Sequence, residues 1–248
     1  MPAHAEIELL IVVALFATAQ SIFGVGLLVF GTPTLLLLGF SFSEILAYLL
    51  PCSILISALQ VRKAGGVRPL DTLNKRFLMF TAPGVLVGTV VILAAGSTVS
   101  VKPIVGAMLV ITAALRSVRR LREGLETFVR RHLSKLLIAF ALGVVHGLSN
   151  LGGGILTVIV GSLFDDKENV RKHIAFAYGL MAIVQLVTLI ATTDVMITWW
   201  LWLALPTLAA AMFFLVGQRL FEATPQSRFQ PALTALVLTF GLALMIPT

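Results

Sequence analysis

The strongest constraint on this chain is how little charge its longest stretches contain. From Leu9 to Val61 the one charged side chain is Glu44, and Phe77–Val101, Ile174–Thr193, Val195–Gln218 and Phe229–Thr248 carry none. Each of these four stretches can cross a hydrocarbon layer of about 30 Å, which takes about 20 helical residues. With 58% hydrophobic residues, 12% charged residues and a mean hydropathy of +1.03, the composition is not that of a soluble globular domain. The sequence therefore predicts an all-α polytopic membrane protein.

Two glycine-rich segments interrupt the apolar runs, Ser21-Ile-Phe-Gly-Val-Gly26 and Ser149-Asn-Leu-Gly-Gly-Gly154, at a spacing of 128 residues. In lipid, backbone that leaves the helix is tolerated where it is buried in protein or lines a watery cavity. Paired breaks in corresponding repeat positions mark a carrier's binding site. Ala47 with Ala175, and Pro103 with Pro231, repeat at the same spacing.

Charge placement fixes the expected topology. We read spans at 44–61, 77–97, 101–116, 172–193, 197–218 and 229–247, with segments 7–40 and 135–164 left over, one ahead of each set of three. If both are re-entrant hairpins and the N-terminus is outside, 17 of the 18 Lys and Arg residues face the cytoplasm. If both are single spans, the split is 12 inside and 6 outside. Cytoplasmic loops are enriched in Lys and Arg, so the hairpins are preferred. Ile7–Ser21, at about 22 Å of helix, is too short for a full crossing, so each limb is expected to turn at mid-depth.

The expected architecture is two inverted repeats, each a hairpin plus three helices. They occupy 1–116 and 135–248, joined by a basic cytoplasmic linker at 117–134 that rests on anionic lipid heads. Both termini are expected outside, in a multi-pass protein of the cytoplasmic membrane. The N-terminus lacks the basic lead of a secretory signal, so no cleavage is expected. The net charge of +7 lies between spans and marks a membrane face, not a nucleic-acid partner. The single Cys52 excludes an internal disulfide.

A helix starting after each glycine tip offers unpaired N–H groups and a positive end, which together suit an anion. The candidate substrate-binding residues are Gln20, Ser21, Gly24, Val25, Gly26, Ser53, Ser57, Ser149, Asn150, Gly152, Gly153, Gly154 and Gln185. No Lys or Arg is expected at depth, so neutral donors must hold the ligand. His146, the ionisable residue inside a hairpin limb, is the candidate for proton coupling. Its counterpart at that spacing, Thr18, cannot titrate. Gly84-Val-Leu-Val-Gly88 is a GxxxG helix-packing motif, Cys52 a small packing residue, and Trp199, Trp200 and Trp202 an interfacial belt. No Gly-x4-Gly-Lys-Ser/Thr motif, metal set or catalytic cluster occurs, so no cofactor and no enzymatic activity are expected. The partners expected are a small anion, the bilayer and at most a second copy in a homodimer.

The segments Gly24-Val-Gly26…Pro33 and Asn150-Leu-Gly-Gly-Gly154, the repeat, and the basic 62–76 loop after Ala47…Ser57 resemble the TauE/SafE sulfite-exporter family. The resemblance covers essentially the whole chain. It implies a secondary transporter of small sulfur-containing anions such as sulfite, sulfoacetate or another organosulfonate, or thiosulfate. The alternatives are a carrier for another organic anion or amino acid and, third, a membrane-embedded enzyme. Phe23 and Val25 replace part of the fuller glycine run at the first tip, so the tips are not expected to play equal roles.

Overall fold

A computed structural model describes residues 3–66, 72–96, 100–132, 136–195 and 197–243. Among them the regular structure is helical throughout. The first half contains α1 (Ala3–Phe23), α2 (Leu27–Leu37), α3 (Phe42–Lys63), α4 (Thr72–Ala95) and α5 (Val101–Ser117). α6 (Arg119–His132) occupies the basic link. The second half contains α7 (Leu136–Ser149), α8 (Gly152–Gly161), α9 (Lys167–Thr192) and α10 (Trp199–Met212). α10 runs through a π-turn at Phe213–Gly217 into α11 (Gln218–Ala223), and α12 (Gln226–Ala243) follows. By length and composition α1, α3, α9 and Trp199–Ala223 can each cross a membrane.

The helix starts follow capping rules. Glu44, the lone charge of the first apolar run, belongs to a capping box. The Ser41 hydroxyl accepts from the Glu44 N–H at 3.3 Å, and Ser41 N–H donates to the Glu44 carboxylate at 2.9 Å. Asp166 caps α9 by accepting from Asn169 N–H at 2.9 Å. Arg62 and Lys63 close α3, where cations suit the negative helix end.

Several limits differ from the sequence reading. α1 is a helix of 21 residues, about 31 Å long, rather than a half-crossing limb of 15. Its first turn runs on through the acidic N-terminus, where Glu6 is favourable. α9 begins at Lys167 instead of 172, so Arg171 belongs to a helix and not to a loop. The 117–134 link is largely helical. Residues 244–248, at the end of the last expected span, lie outside the described residues.

Helix pairings recur between the two halves. α4 packs on α7 and α1 on α10, α4 packs on α9 and α10 on α3, and α3 lies against α9. The α4–α7 contact is backbone to backbone. Gly84 and Gly88 face Gly143 and Gly147, and a Cβ on any of the four would collide with the other helix's main chain. The GxxxG motif thus acts in packing, with a second one opposite it. In the α1–α10 pair the π-turn seats Gly217 directly on the Ser21 side chain.

α3 and α9 run antiparallel, with Ala47 beside Leu186 and Leu189, and Ser57 beside Gly179. One end of the molecule gathers the ends of α3, α9 and α11. There Lys63 Nζ lies 3.6 Å from the Glu222 carboxylate, and Lys167 Nζ donates to the Thr224 carbonyl at 2.6 Å. At the opposite end Trp202 Nε1 donates to the Ala47 carbonyl at 3.1 Å. Trp202 is therefore a packing residue, unlike Trp199, which is 74% exposed.

Candidate functional site

Both glycine segments break the helix and fold the chain back. In the first, Gly24 takes φ +81°, and a Cβ on Gly26 would stand 2.5 Å from the Gln20 nitrogen. Only glycine fits so close an approach of backbone to backbone. α2 then runs back beside α1, with Gly31 near Val12 and Phe16. In the second segment Asn150 takes φ +66°, and a Cβ on Gly152 would stand 2.6 Å from that of His146. The residues that leave the helix are thus Gly24 and Asn150, not a pair 128 apart. Ser21 lies three residues before its break and Ser149 one, so the two serines are not structural counterparts.

The first break is closed by its own polar network. Gln20 Nε2 donates to the Ser53 carbonyl and hydroxyl, both at 3.0 Å, and reaches the Ser57 hydroxyl at 3.3 Å. The Ser53 hydroxyl donates back to Gln20 Oε1 at 3.2 Å. Gln60 Nε2 donates to the carbonyls of Gln20 and Ser21, at 2.7 and 3.0 Å. The structure thus brings together Gln20, Ser53 and Ser57, three of the candidate residues, and adds Gln60. Ser21 donates to Ala17 in its own helix at 2.6 Å, and Cys52 likewise to Tyr48 at 3.2 Å.

Arg171, which the sequence reading placed in a loop, is a buried cation in the second turn of α9. It is 3% exposed, and its Nη1 donates to the Ser21 carbonyl at 3.1 Å and to Gln218 Oε1 at 3.0 Å. Its Cζ sits 3.4 Å from the Phe221 ring centroid. A Cβ on Gly24 would press on the Arg171 carbonyl and on Ile174, so the first tip meets α9 in its second turn, far from the helix centre.

The second break is different. It reaches Gln185, whose Nε2 donates to the Gly147 carbonyl at 3.4 Å, on the other side of the α9 centre. The tips therefore do not meet end to end. They pass each other, and the N-terminal turns of α2 and α8 lie side by side at Tyr178. A Cβ on Gly153 would stand 2.5 Å from Tyr178 Cε2 and 3.1 Å from Val29 Cγ2. Asn150 Nδ2 crosses between the hairpins to Thr32 Oγ1 at 2.9 Å. Gly154 abuts Thr112 of α5, and Val25 is fully buried.

Around this crossing, buried polar atoms hold no hydrogen bond among the described residues: Tyr178 Oη, both His146 ring nitrogens, Asn150 Oδ1 and Gln185 Oε1. The Tyr178 hydroxyl faces the amides of Leu28 and Val29. Its ring meets His146 edge to face, at 5.6 Å between centroids. Buried polar groups are normally paired, so a cluster of unpaired ones is the chemistry of a site that receives a polar guest. Ser149 is not part of it, since its hydroxyl donates to the Val145 carbonyl and accepts from Leu151 N–H. A separate cavity of about 320 Å³ between Ala47, Leu189 and Trp202 is apolar and lies away from both tips.

Sequence reasoning missed Tyr178, Gln60 and Arg171. Tyr178 stands in the middle of an apolar helix, and its adjacency to Gly153 and Val29 has no sequence signal. Gln60, a polar residue one turn before the end of a span, was the one detectable clue.

Long apolar helices, glycine-tight packing and interior helix breaks define a multi-pass helical membrane protein. The chain belongs to the Sulfite exporter TauE/SafE family, whose model matches residues 9–244. This is a family of membrane transporters for sulfur-containing anions and not of enzymes. No curated protein and no solved structure matches the chain.

Proposed function

We propose that the chain is a secondary transporter of small sulfur-containing anions: sulfite, sulfoacetate or another organosulfonate, or thiosulfate. The anion is held where the first turns of α2 and α8 pass each other at Tyr178. The cluster of unpartnered buried polar atoms at that crossing carries the reading. Amides of two helix starts supply positive potential there. Gly152 and Gly153 let the backbone approach, while Asn150, Gln185 and His146 present side-chain groups. Gln20, Ser53, Ser57 and the Gly24–Gly26 turn shape the first hairpin's side of the pocket.

The membrane arrangement belongs to the same proposal. Hairpins α1–α2 and α7–α8 are re-entrant, and the halves 1–116 and 135–248 are inverted repeats. The recurrent pairings support this, since α4–α7 is matched by α10–α1 and α4–α9 by α10–α3. The Lys63–Glu222 and Lys167–Thr224 contacts set the end of α3, the start of α9 and the end of α11 together, which supports a hairpin over a single span in the second half. That end faces the cytoplasm of the inner membrane by its Lys and Arg content, and both termini lie outside. Access alternates as one repeat moves against the other.

The test is flux into proteoliposomes across sulfite, sulfoacetate, thiosulfate and acetate. Uptake of at least one sulfur oxyanion in preference to acetate is expected. Acetate uptake alone, or no uptake, contradicts the reading.

A further inference from the structure

Arg171 is a buried cation that forms no salt bridge among the described residues. The carboxylates whose charge acts on it, Glu168 and Glu222, are exposed and make no direct ion pair with it. One nitrogen, Nη1, makes both of its hydrogen bonds, to neutral oxygens. Nε and Nη2 hold none among the described residues. Stacking on Phe221 fixes the plane of the guanidinium, leaving an oriented fork of N–H donors. Beside it, Gln60 shares the Ser21 carbonyl and keeps its own Oε1 buried and unpartnered. A charge removed from water without a counter-ion is costly, and within a membrane protein such a group marks an ion pathway.

Resting on the anion-carrier reading, we propose that Arg171 is the counter-charge that receives the anion at the cytoplasmic end of the α3–α9 seam. Arg171 and Tyr178 stand seven residues apart on α9, about 10 Å. Between them the Gln20–Ser53–Ser57 network lines the seam, Ser57 touching Gly179. An oxyanion leaving the Tyr178 crossing therefore meets buried polar groups up to the guanidinium. The planar fork matches two oxygens of a sulfonate or sulfite, which a lysine reproduces only as a point charge.

The experiment is concentration-dependent flux in proteoliposomes for wild type, Arg171→Gln, Arg171→Lys and Gln218→Glu, using the anion that wild type carries best. Arg171→Gln is expected to raise the half-saturating concentration at least tenfold, with a smaller fall in maximal rate, and Arg171→Lys to recover part of that loss. Gln218→Glu sets a carboxylate where the amide oxygen now lies 3.0 Å from Nη1 and replaces the amide that donates to Glu222, so negative charge is added beside Arg171 without removing the guanidinium. It is expected to raise half-saturation too, which keeps the proposal testable if Arg171→Gln does not fold. Unchanged half-saturation in either variant, while wild type transports, overturns the role of Arg171 alone. A wild type that moves no panel anion overturns the carrier reading and this proposal with it.

Discussion

The two helix breaks look alike in sequence and differ in what they leave unpaired. At the first, Gln20, Ser53, Ser57 and Gln60 bond to one another and to the tip carbonyls, with Arg171 as a further donor. At the second, Asn150 reaches across to Thr32, but its oxygen, His146, Tyr178 and Gln185 keep unused groups. The first tip is mostly held by its own contacts, leaving Gln60 Oε1 and part of Arg171 unpaired, whereas four residues at the second keep unused groups. Equal numbers of glycines do not make equal sites; the neighbours of the turn decide.

The contrast is sharpest under glycine substitution. Gly26→Ala puts a Cβ 2.5 Å from the backbone of Gln20, which cannot give way. It should cost about 3 kcal/mol or more, seen as a large drop in Tm and yield. Gly153→Leu meets a side chain instead, Tyr178 Cε2. Flux should be lost while the protein stays folded in detergent; a fully active Gly153→Leu would remove the second tip from the site.

Next in size is Gln20→Met, which removes the bonds to Ser53 and Ser57. Bonds of this kind contribute about 0.6 kcal/mol each within membranes, so a loss of about 1–2 kcal/mol should appear in thermal unfolding. Tyr178→Phe deletes the hydroxyl that faces the Leu28 and Val29 amides. Its stability should change by less than about 0.5 kcal/mol, while flux falls several-fold. If Gln20→Met spares Tm and Tyr178→Phe lowers it, the assignment of the two tips is reversed.

The smallest effect expected is that of His146→Gln on pH dependence. Tyr178 is the titratable side chain in ring contact with His146, which leaves the imidazole no relay partner among the described residues. The variant's flux should keep the wild-type pH profile between about pH 5 and 8. A profile that flattens establishes His146 as the proton-coupling group.

Much of the fold was legible because lipid enforces it. Uncharged stretches located α3 to within two residues and α9 and the Trp199–Ala223 segment to within five, and the glycines located both breaks. The length of α1 was hidden because Glu6 and Glu8 read as the end of an apolar run, although acidic residues suit a helix start. Arg171 was read as loop because charge counting assigns cations to membrane faces. Its partners Ser21 and Gln218 lie 150 and 47 positions away, and no local pattern encodes them. The serines beside the glycines pointed to ligand donors, yet both hydroxyls bond back into their own helices. The candidate site was thus half visible: the turns showed in the sequence, and the choice between a closed and an open tip did not.

The most direct measurement is an experimental structure with thiosulfate, whose sulfur can be located by anomalous scattering. The account predicts a sulfur peak beside Tyr178, with an oxygen about 3 Å from its hydroxyl and from the first amides of α2 or α8. A peak at the apolar cavity by Ala47 and Trp202, or the α2 and α8 starts held apart with no anion between them, contradicts it.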